Sequence, residues 1–314
     1  MLAVTIRDGG RLELAEHPDP VPGHGEVLVR VRAAGLNGAD MMQRQGNYPA
    51  PPGDPQDIPG MELAGEVVEV GPRAPRFSVG DRVMGLVGGG AQAELATVHE
   101  RQLMAVPAGI DWPAAGGFPE VFTTAHDAIF TQCGLRPGER LLVHGAAGGV
   151  GSAAVQLGAL AGAHVTATVR NADHREAVGE LGADVVLAPD GFERHGPYDV
   201  VLELVGAPNL PADITGLNTD GRIVVIGVGA GFKAEVNLLA LMGKRATLRA
   251  STLRVRPLEG KALTARAIER EVLPALASGT VAVPIAHTFP LAEAEAAYDR
   301  FSAGGKLGKI VLTS

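Results

Sequence analysis

The run Leu141-Leu142-Val143-His144-Gly145-Ala146-Ala147-Gly148-Gly149-Val150-Gly151 has residue types and spacing suited to holding a pyrophosphate. A short apolar strand leads into a glycine turn, and Ser152-Ala153-Ala154-Val155-Gln156-Leu157 then opens a helix. Glycines let the main chain come close to an anion, and a helix N-terminus offers unpaired N–H groups with partial positive charge. The strict pattern is Gly-x-Gly-x-x-Gly. Here its places are filled by Ala146, Gly148 and Gly151, with Gly145 just before. Gly145, Ala147, Gly148, Gly149, Val150 and Gly151 are therefore candidate dinucleotide contacts. In a chain with 43 glycines the spacing alone is weak, and the flanking strand and helix give it its weight. The alternative is an ordinary strand-to-helix turn without a ligand.

A second position selects the cofactor. His164-Val165-Thr166-Ala167-Thr168-Val169 reads as the next strand and ends at Arg170-Asn171. An NAD-binding unit places a carboxylate there to hold the ribose 2′-hydroxyl. A carboxylate would repel a 2′-phosphate, whereas a guanidinium pairs with two of its oxygens. NADPH is thus the expected cofactor, with Arg170 as the main contact and Asn171, His174 and Arg175 as further donors. The alternative for Arg170 is a solvated loop residue.

These residues need elements to position them. From about 120 to 245 the pattern alternates strand and helix. Strands are expected at 141–145, 164–169, 184–187, 199–204 and 222–226, and helices at 149–161 and 172–181, which implies a parallel sheet covered on both faces. Residues 1 to about 115 read as all-β with glycine and proline punctuation. Glu26–Ala33 alternates polar and apolar, and Leu63–Gly71 and Asp81–Gly85 are further strands. Tyr48-Pro49-Ala50-Pro51-Pro52-Gly53-Asp54-Pro55 is too proline-rich for a helix or central strand and reads as a surface loop. After about 250, a helix beginning near Pro257 carries Ala262, Ala265, Ile268 and Val272 on one face. A second carries Leu291, Ala294, Tyr298 and Phe301, and Gly308–Leu312 is the last strand.

Length and composition narrow the class. The 314 residues suggest about two domains, and 46% hydrophobic content supports a large core. The net charge of −8, with no Lys/Arg stripe, argues against nucleic acid or an anionic membrane as partner. Arg7 and Asp8 come too early for a signal peptide, and the longest apolar stretch, 150–163, is too short to span a bilayer. The single cysteine, Cys133, excludes a disulfide framework and suits a reducing, cytoplasmic setting.

Several segments together resemble the zinc-independent quinone oxidoreductases of the medium-chain dehydrogenase/reductase superfamily, in particular their tumour-suppressor-inducible branch. They are Ala34–Tyr48, Pro59–Gly65, Phe118–Ala125, Ser251–Glu259 and Gly308–Leu312, and the resemblance extends over nearly the whole chain. It implies an α/β fold: a Rossmann doubly wound parallel sheet domain (119–250) inserted into a mainly-β, GroES-like catalytic domain (1–118, with a return at 251–314). Zinc-dependent relatives carry a Cys where this chain has Asn37, a His where it has Met61, and a four-Cys lobe for which one Cys cannot serve. The expected metal is therefore none.

The implied activity is NADPH-dependent reduction of a quinone by direct hydride transfer. Conjugation spreads the incoming charge, so no metal is required to polarise the acceptor. The alternatives are reduction of an enone or enal, and a non-catalytic NADPH-binding protein. By motif match Asn37 lies beside the nicotinamide or acceptor, Tyr48 donates to an acceptor carbonyl, and Thr124 neighbours the nicotinamide. Gly227 and Val228 border its ribose and amide, and Arg254 and Lys309 approach the cofactor or the rim of the site. A structural amide, a solvated tyrosine and surface ion pairs are the respective alternatives for Asn37, Tyr48 and the two basic residues. Asp40 and Glu62 brace the site. The resemblance also implies a homodimer, with the strand 246–250 pairing across it. The relatives' small residue and Ser at 170 and 171 are here Arg170 and Asn171, and His126 stands where they often carry an aromatic.

Overall fold

The computed structural model describes residues 1–314. The chain divides into two compact units, Met1–Thr123 with Leu253–Ser314, and Thr124–Thr252. The sequence places the boundaries at 118/119 and 250/251, a few residues earlier. The helix Pro119–His126 carries the first crossing, so the division falls inside a continuous helix rather than in a linker.

The first unit begins with the two-stranded pair β1 (Leu2–Ile6) and β2 (Leu12–Glu16). Its main sheet is built from β3 (Glu26–Gly35), β4 (Glu62–Val70), β5 (Arg82–Leu86), β6 (Leu95–His99) and β7 (Leu103–Ala105). Because β3 pairs with β4 and with β6, it is buried more completely than its alternating sequence suggests: Val27 and Val29 are fully buried, and Leu28 is nearly so. The all-β expectation missed two short helices, Gly38–Arg44 and Trp112–Gly117. Each has a local start signal. Asn37 and Asp40 form a reciprocal capping box, and Asp111 accepts a hydrogen bond from Ala114 N–H ahead of Pro113 in the first turn.

The second unit holds a six-stranded sheet made of β8 (Arg140–Val143), β9 (His164–Thr168), β10 (Val185–Leu187), β11 (Tyr198–Glu203), β12 (Leu217–Val225) and β13 (Thr247–Ala250). Its order, β10-β9-β8-β11-β12-β13, is all parallel. That is the doubly wound arrangement, in which strand order reverses between β8 and β11 at the carboxyl end of the sheet. Leu141, Leu142, Val143, Val200, Val201 and Leu202 are fully buried, as continuous apolar strands covered on both faces must be. β12 starts five residues before its expected position, because Leu217 pairs with Tyr198 ahead of a register shift. The helices Leu210–Gly216 and Leu238–Lys244 were not expected, and each is only two turns long.

The chain then returns to the first unit. The helix Leu258–Glu271 buries Ala262, Ala265 and Ile268, with Val272 buried just beyond it. After β14 (Ile285–Pro290), Leu291 begins a 3₁₀ turn, and the helix Ala294–Ser302 buries Ala294 and Tyr298. β15 (Lys309–Thr313) closes the main sheet, in the order β14-β15-β3-β4-β5-β7. No helix is long and apolar enough to cross a membrane.

Candidate functional site

In the second unit, β8 leads through His144 into the glycine turn. Gly145 adopts φ +60°, which a side chain would resist. Ala146 N–H donates to Thr168 O at 3.1 Å, and Gly148 N–H donates to Gly145 O at 2.9 Å. The helix Gly149–Leu160 follows, with Gly148 as an N-cap that has no side-chain capping bond. Its first main-chain bond runs from Ser152 N–H to Gly148 O, at 2.9 Å. The amides of Gly149, Val150 and Gly151 precede that bond and so have no acceptor within the helix.

The glycines divide by role. A Cβ on Gly151 would lie 2.5 Å from Gly145 O and 2.6 Å from Ala146 Cα, so Gly151 is needed for the helix to pack on its own turn. A Cβ on Gly148 would meet only Gly145 O, at 3.3 Å, a tight contact but a much milder one than at Gly151. A tight inner wall, an open outer face and free helix-start amides fit the pyrophosphate of a dinucleotide.

Arg170 follows β9 and is exposed, with no hydrogen bond or ion pair to the protein. Asn171 Oδ1 caps the 3₁₀ turn Ala172–His174 by accepting from Asp173 N–H, and this leaves its amide NH₂ as the available donor. Arg175 is partly committed, since its Nε donates to Val169 O at 3.2 Å. His174 is half-buried on the same turn. Gly227 follows β12. A Cβ there would fall 2.2 Å from Leu204 O, so only glycine lets the two loops approach, while Val228 beside it is exposed. Thr124 is buried on the helix Pro119–His126. His126 meets the ring of Phe130 edge-on, with centroids 5.0 Å apart.

In the first unit the positions that hold zinc in relatives form a closed polar network. Lys309 Nζ donates to Leu36 O at 2.7 Å and Asn37 Oδ1 at 2.7 Å, and forms an ion pair with Glu62 Oε1 at 2.6 Å. The ammonium is thus enclosed by three oxygens, one of them its counter-charge. Asn37 Nδ2 donates to Glu62 Oε1 at 3.0 Å and to Gly35 O at 3.3 Å. Glu62 Oε2 accepts from Glu120 N–H at 2.8 Å. Asp40 accepts from Asn37 N–H at 2.8 Å and Gly60 N–H at 3.2 Å, and its burial pushes its carboxyl up to about 6. Lys309 is fully engaged inside this network rather than at a rim.

Arg254 is likewise interior, at 1% exposure. Its Nε donates to Gly88 O at 2.7 Å, its Nη1 to Tyr48 O at 3.0 Å and its Nη2 to Gln43 Oε1, and its guanidinium stacks 5.1 Å from the Tyr48 ring centroid. Arg254 therefore anchors the main chain of the proline-rich loop and the Tyr48 ring. Sequence reasoning did not find this clamp or the Lys309–Glu62 pair, because both join residues far apart in the chain. The Asn37-x-x-Asp40 box had a readable signal, the spacing of a capping box.

Comparison with known proteins agrees with this architecture. Residues 23–108 match the alcohol dehydrogenase GroES-like domain, and residues 181–312 match the zinc-binding dehydrogenase family. The chloroplastic quinone-oxidoreductase QR1 of Triphysaria versicolor is 33% identical over 323 residues, covering 96% of this chain and 93% of its own. The chain belongs to the medium-chain dehydrogenase/reductase superfamily, a family of oxidoreductases.

Among solved members of this superfamily, a protein from Novosphingobium aromaticivorans superposes with a TM-score of 0.90 at 32% identity, covering 100% of this chain and 99% of its own. The mycobacterial Rv1454c, solved in complex with NADPH, superposes with a TM-score of 0.89 at 30% identity, covering 100% of both chains. Other relatives are far longer. The chain spans 8% of erythronolide synthase EryA2 of Saccharopolyspora erythraea, at 36% identity over 298 residues, and 4% of the polyketide synthase GfsB of Streptomyces halstedii.

The donor set does not fit the zinc ion that one family's name implies. Asn37 offers an amide and the buried Met61 a thioether, and the Lys309 ammonium already sits 2.6 Å from Glu62 Oε1. An imported divalent cation would face that positive charge with no thiolate or imidazole to compensate.

Proposed function

We propose that the protein is an NADPH-dependent reductase of quinones that works without zinc. The observation that carries the cofactor reading is Arg170: an exposed guanidinium with no protein partner, at the end of the strand that follows the glycine turn. The free amides of Gly149, Val150 and Gly151 bind the pyrophosphate, and Arg170 with the Asn171 amide holds the 2′-phosphate. Gly227 and Val228 offer main-chain groups to the nicotinamide end, and Thr124 is a further proposed neighbour of that ring. The bound cofactor supplies the hydride, and a conjugated acceptor accepts it without Lewis-acid help.

The network around Asn37 has a different part. With both Asn37 amide protons bonded and the buried Lys309 ammonium enclosed by Glu62, Leu36 O and Asn37 Oδ1, both side chains are committed to the protein. They give a rigid, charge-balanced floor where relatives place a metal. Tyr48, set by the Arg254 clamp, is the proposed donor to the acceptor carbonyl. Similarity to the quinone oxidoreductase QR1 over nearly its whole length supports the acceptor class. A second reading is hydride addition at the β-carbon of an enone or enal, whose conjugation spreads the incoming charge in the same way. We further propose a cytoplasmic homodimer.

NADPH oxidation followed with a benzoquinone, a naphthoquinone and an alkenal tests this directly. Turnover of the quinones is expected. Turnover of the alkenal alone selects the second reading, and tight NADPH binding with no oxidation by any acceptor selects a binding protein. Activity is expected to persist after exhaustive chelation, and its loss with restoration by zinc would overturn the metal-free claim.

A further inference from the structure

Directly beneath the glycine turn, three ionisable side chains of the second unit meet with no cationic side chain among them. His144 follows β8, Glu203 ends β11 and Asp213 lies on the helix Leu210–Gly216. Their side chains are 1%, 1% and 0% exposed. His144 Nε2 lies 2.8 Å from Asp213 Oδ1 and 3.8 Å from Glu203 Oε2, and one donor atom from each residue falls within 4.8 Å of the others. Glu203 Oε1 accepts the Val205 and Gly206 N–H groups. Glu203 Oε2 and Asp213 Oδ2 have no hydrogen-bond partner.

The surroundings supply no counter-charge. β9 contributes Thr168, whose hydroxyl is 3.0 Å from His144 Nδ1. The 3₁₀ turn Phe192–His195 contributes the Phe192 ring, edge-on to the imidazole at 4.5 Å. Arg194 on that turn pairs with Glu193 and is 82% exposed. At the far end of the strands, Arg140 caps His195 O, and Asp199 accepts from Arg140 N–H and Asn218. On the helix carrying Asp213 there is no other charged residue. Two bare carboxylates enclosed in this way would be prohibitively costly.

A cation or a proton could relieve the cost, and the geometry points to the proton. The His144–Asp213 hydrogen bond is already complete, which leaves one orphan oxygen on each acid, and because the two carboxyls are within side-chain hydrogen-bonding reach of each other, a proton on one can bond the other. A metal could take a water as its fourth ligand, but it would have to break the bond already made between His144 Nε2 and Asp213 Oδ1. We propose that Glu203 and Asp213 share one buried proton and, with His144, act as positioning residues for the dinucleotide loops.

The connections that transmit this are main-chain bonds. Thr168 contacts His144 through its hydroxyl and accepts from Ala146 N–H of the glycine turn through its carbonyl. Glu203 ties the 205–206 loop with its carboxylate, and its carbonyl accepts from the Ile226 and Gly227 N–H groups. One cluster therefore braces both loops assigned to the cofactor. Burial pushes Asp213 up to about 7 and Glu203 upward, and lowers His144 to about 4. As pH rises past that range, the shared proton leaves for solvent and a second negative charge remains under the pyrophosphate site. Dinucleotide affinity then falls.

The shared proton rests on the cluster's geometry alone, and the effect on affinity rests also on the cofactor reading above. Two measurements separate them. Infrared spectra of the apo protein near pH 6 are expected to show a protonated-carboxyl carbonyl band that shifts in D₂O and is absent from both Asp213→Asn and Glu203→Gln. Its absence from wild type, or a stoichiometric tightly bound metal, overturns the proposal. NADPH titration by fluorescence between about pH 6 and about pH 9 is expected to show affinity falling about tenfold, a one-unit coupling. In Asp213→Asn an amide proton replaces the titrating one, so the same ratio should fall below about twofold. A wild-type profile as flat as the variant's refutes the positioning role. A band present with no NADPH binding at any pH refutes the cofactor reading and leaves the shared proton standing.

Discussion

Arg170 and Lys309 are both basic, and burial separates their roles. Arg170 is exposed and unpaired, so its guanidinium is available to a ligand phosphate. Arg170→Ala is expected to weaken NADPH by about 10- to 100-fold, the range of a charged hydrogen-bonded contact, with little change for NADH. Equal losses for the two dinucleotides in a fluorescence titration would remove the 2′-phosphate from the account. Lys309 is interior and answers Glu62. Lys309→Met leaves that buried carboxylate without its counter-charge, holding only the Asn37 amide and Glu120 N–H bonds, and is expected to cost about 3–5 kcal/mol in denaturant unfolding. Adding Glu62→Gln should recover part of the loss, because the orphaned charge goes with it. A lack of any recovery would place the cost in packing rather than in charge.

The strand–turn–helix element makes a sharper prediction than its glycine pattern alone. Gly151 is required by the turn itself, whereas a side chain at Gly148 would meet a single tight contact, Gly145 O at 3.3 Å. Gly148→Val is therefore expected to lower the melting temperature less than Gly151→Val does while NADPH affinity drops about 100-fold or more, since the added side chain obstructs the anion more than the fold. Gly151→Val should destabilise the fold by about 1–3 kcal/mol through overpacking. If Gly148→Val binds NADPH normally, the turn is not the pyrophosphate site. The elements themselves were legible where sequence signals were strong: five parallel strands and the helix after the turn follow from apolar runs bounded by glycine. The helices Leu210–Gly216 and Leu238–Lys244 were missed, because two-turn helices have too few residues to establish a period.

At the scale of the whole molecule, the second unit leaves one sheet edge uncovered. β13 ends the parallel order and is exposed at every residue. Phe232, Leu238, Leu239 and Met242, in the loop and helix preceding it, are 79%, 69%, 76% and 71% exposed, an apolar concentration on the chain as a monomer. If that edge pairs in the expected homodimer, Leu239→Asp with Met242→Asp should halve the mass seen by light scattering while NADPH binding persists. A monomeric wild type at working concentration would remove the basis for the dimer.

The sequence by itself determined what depends on short range: the strand–turn–helix for a dinucleotide, the guanidinium after the next strand, and the α/β alternation of the second unit. It also determined what is missing, since one cysteine cannot build a four-thiolate zinc lobe. Only the tertiary structure decided the use of the buried polar residues. Asn37, Glu62 and Lys309 come from three distant segments, as do His144, Glu203 and Asp213. Sequence spacing does not encode which carboxylate meets an ammonium and which must keep a proton. That is settled when folding excludes water and each charged group must find its partner in the interior.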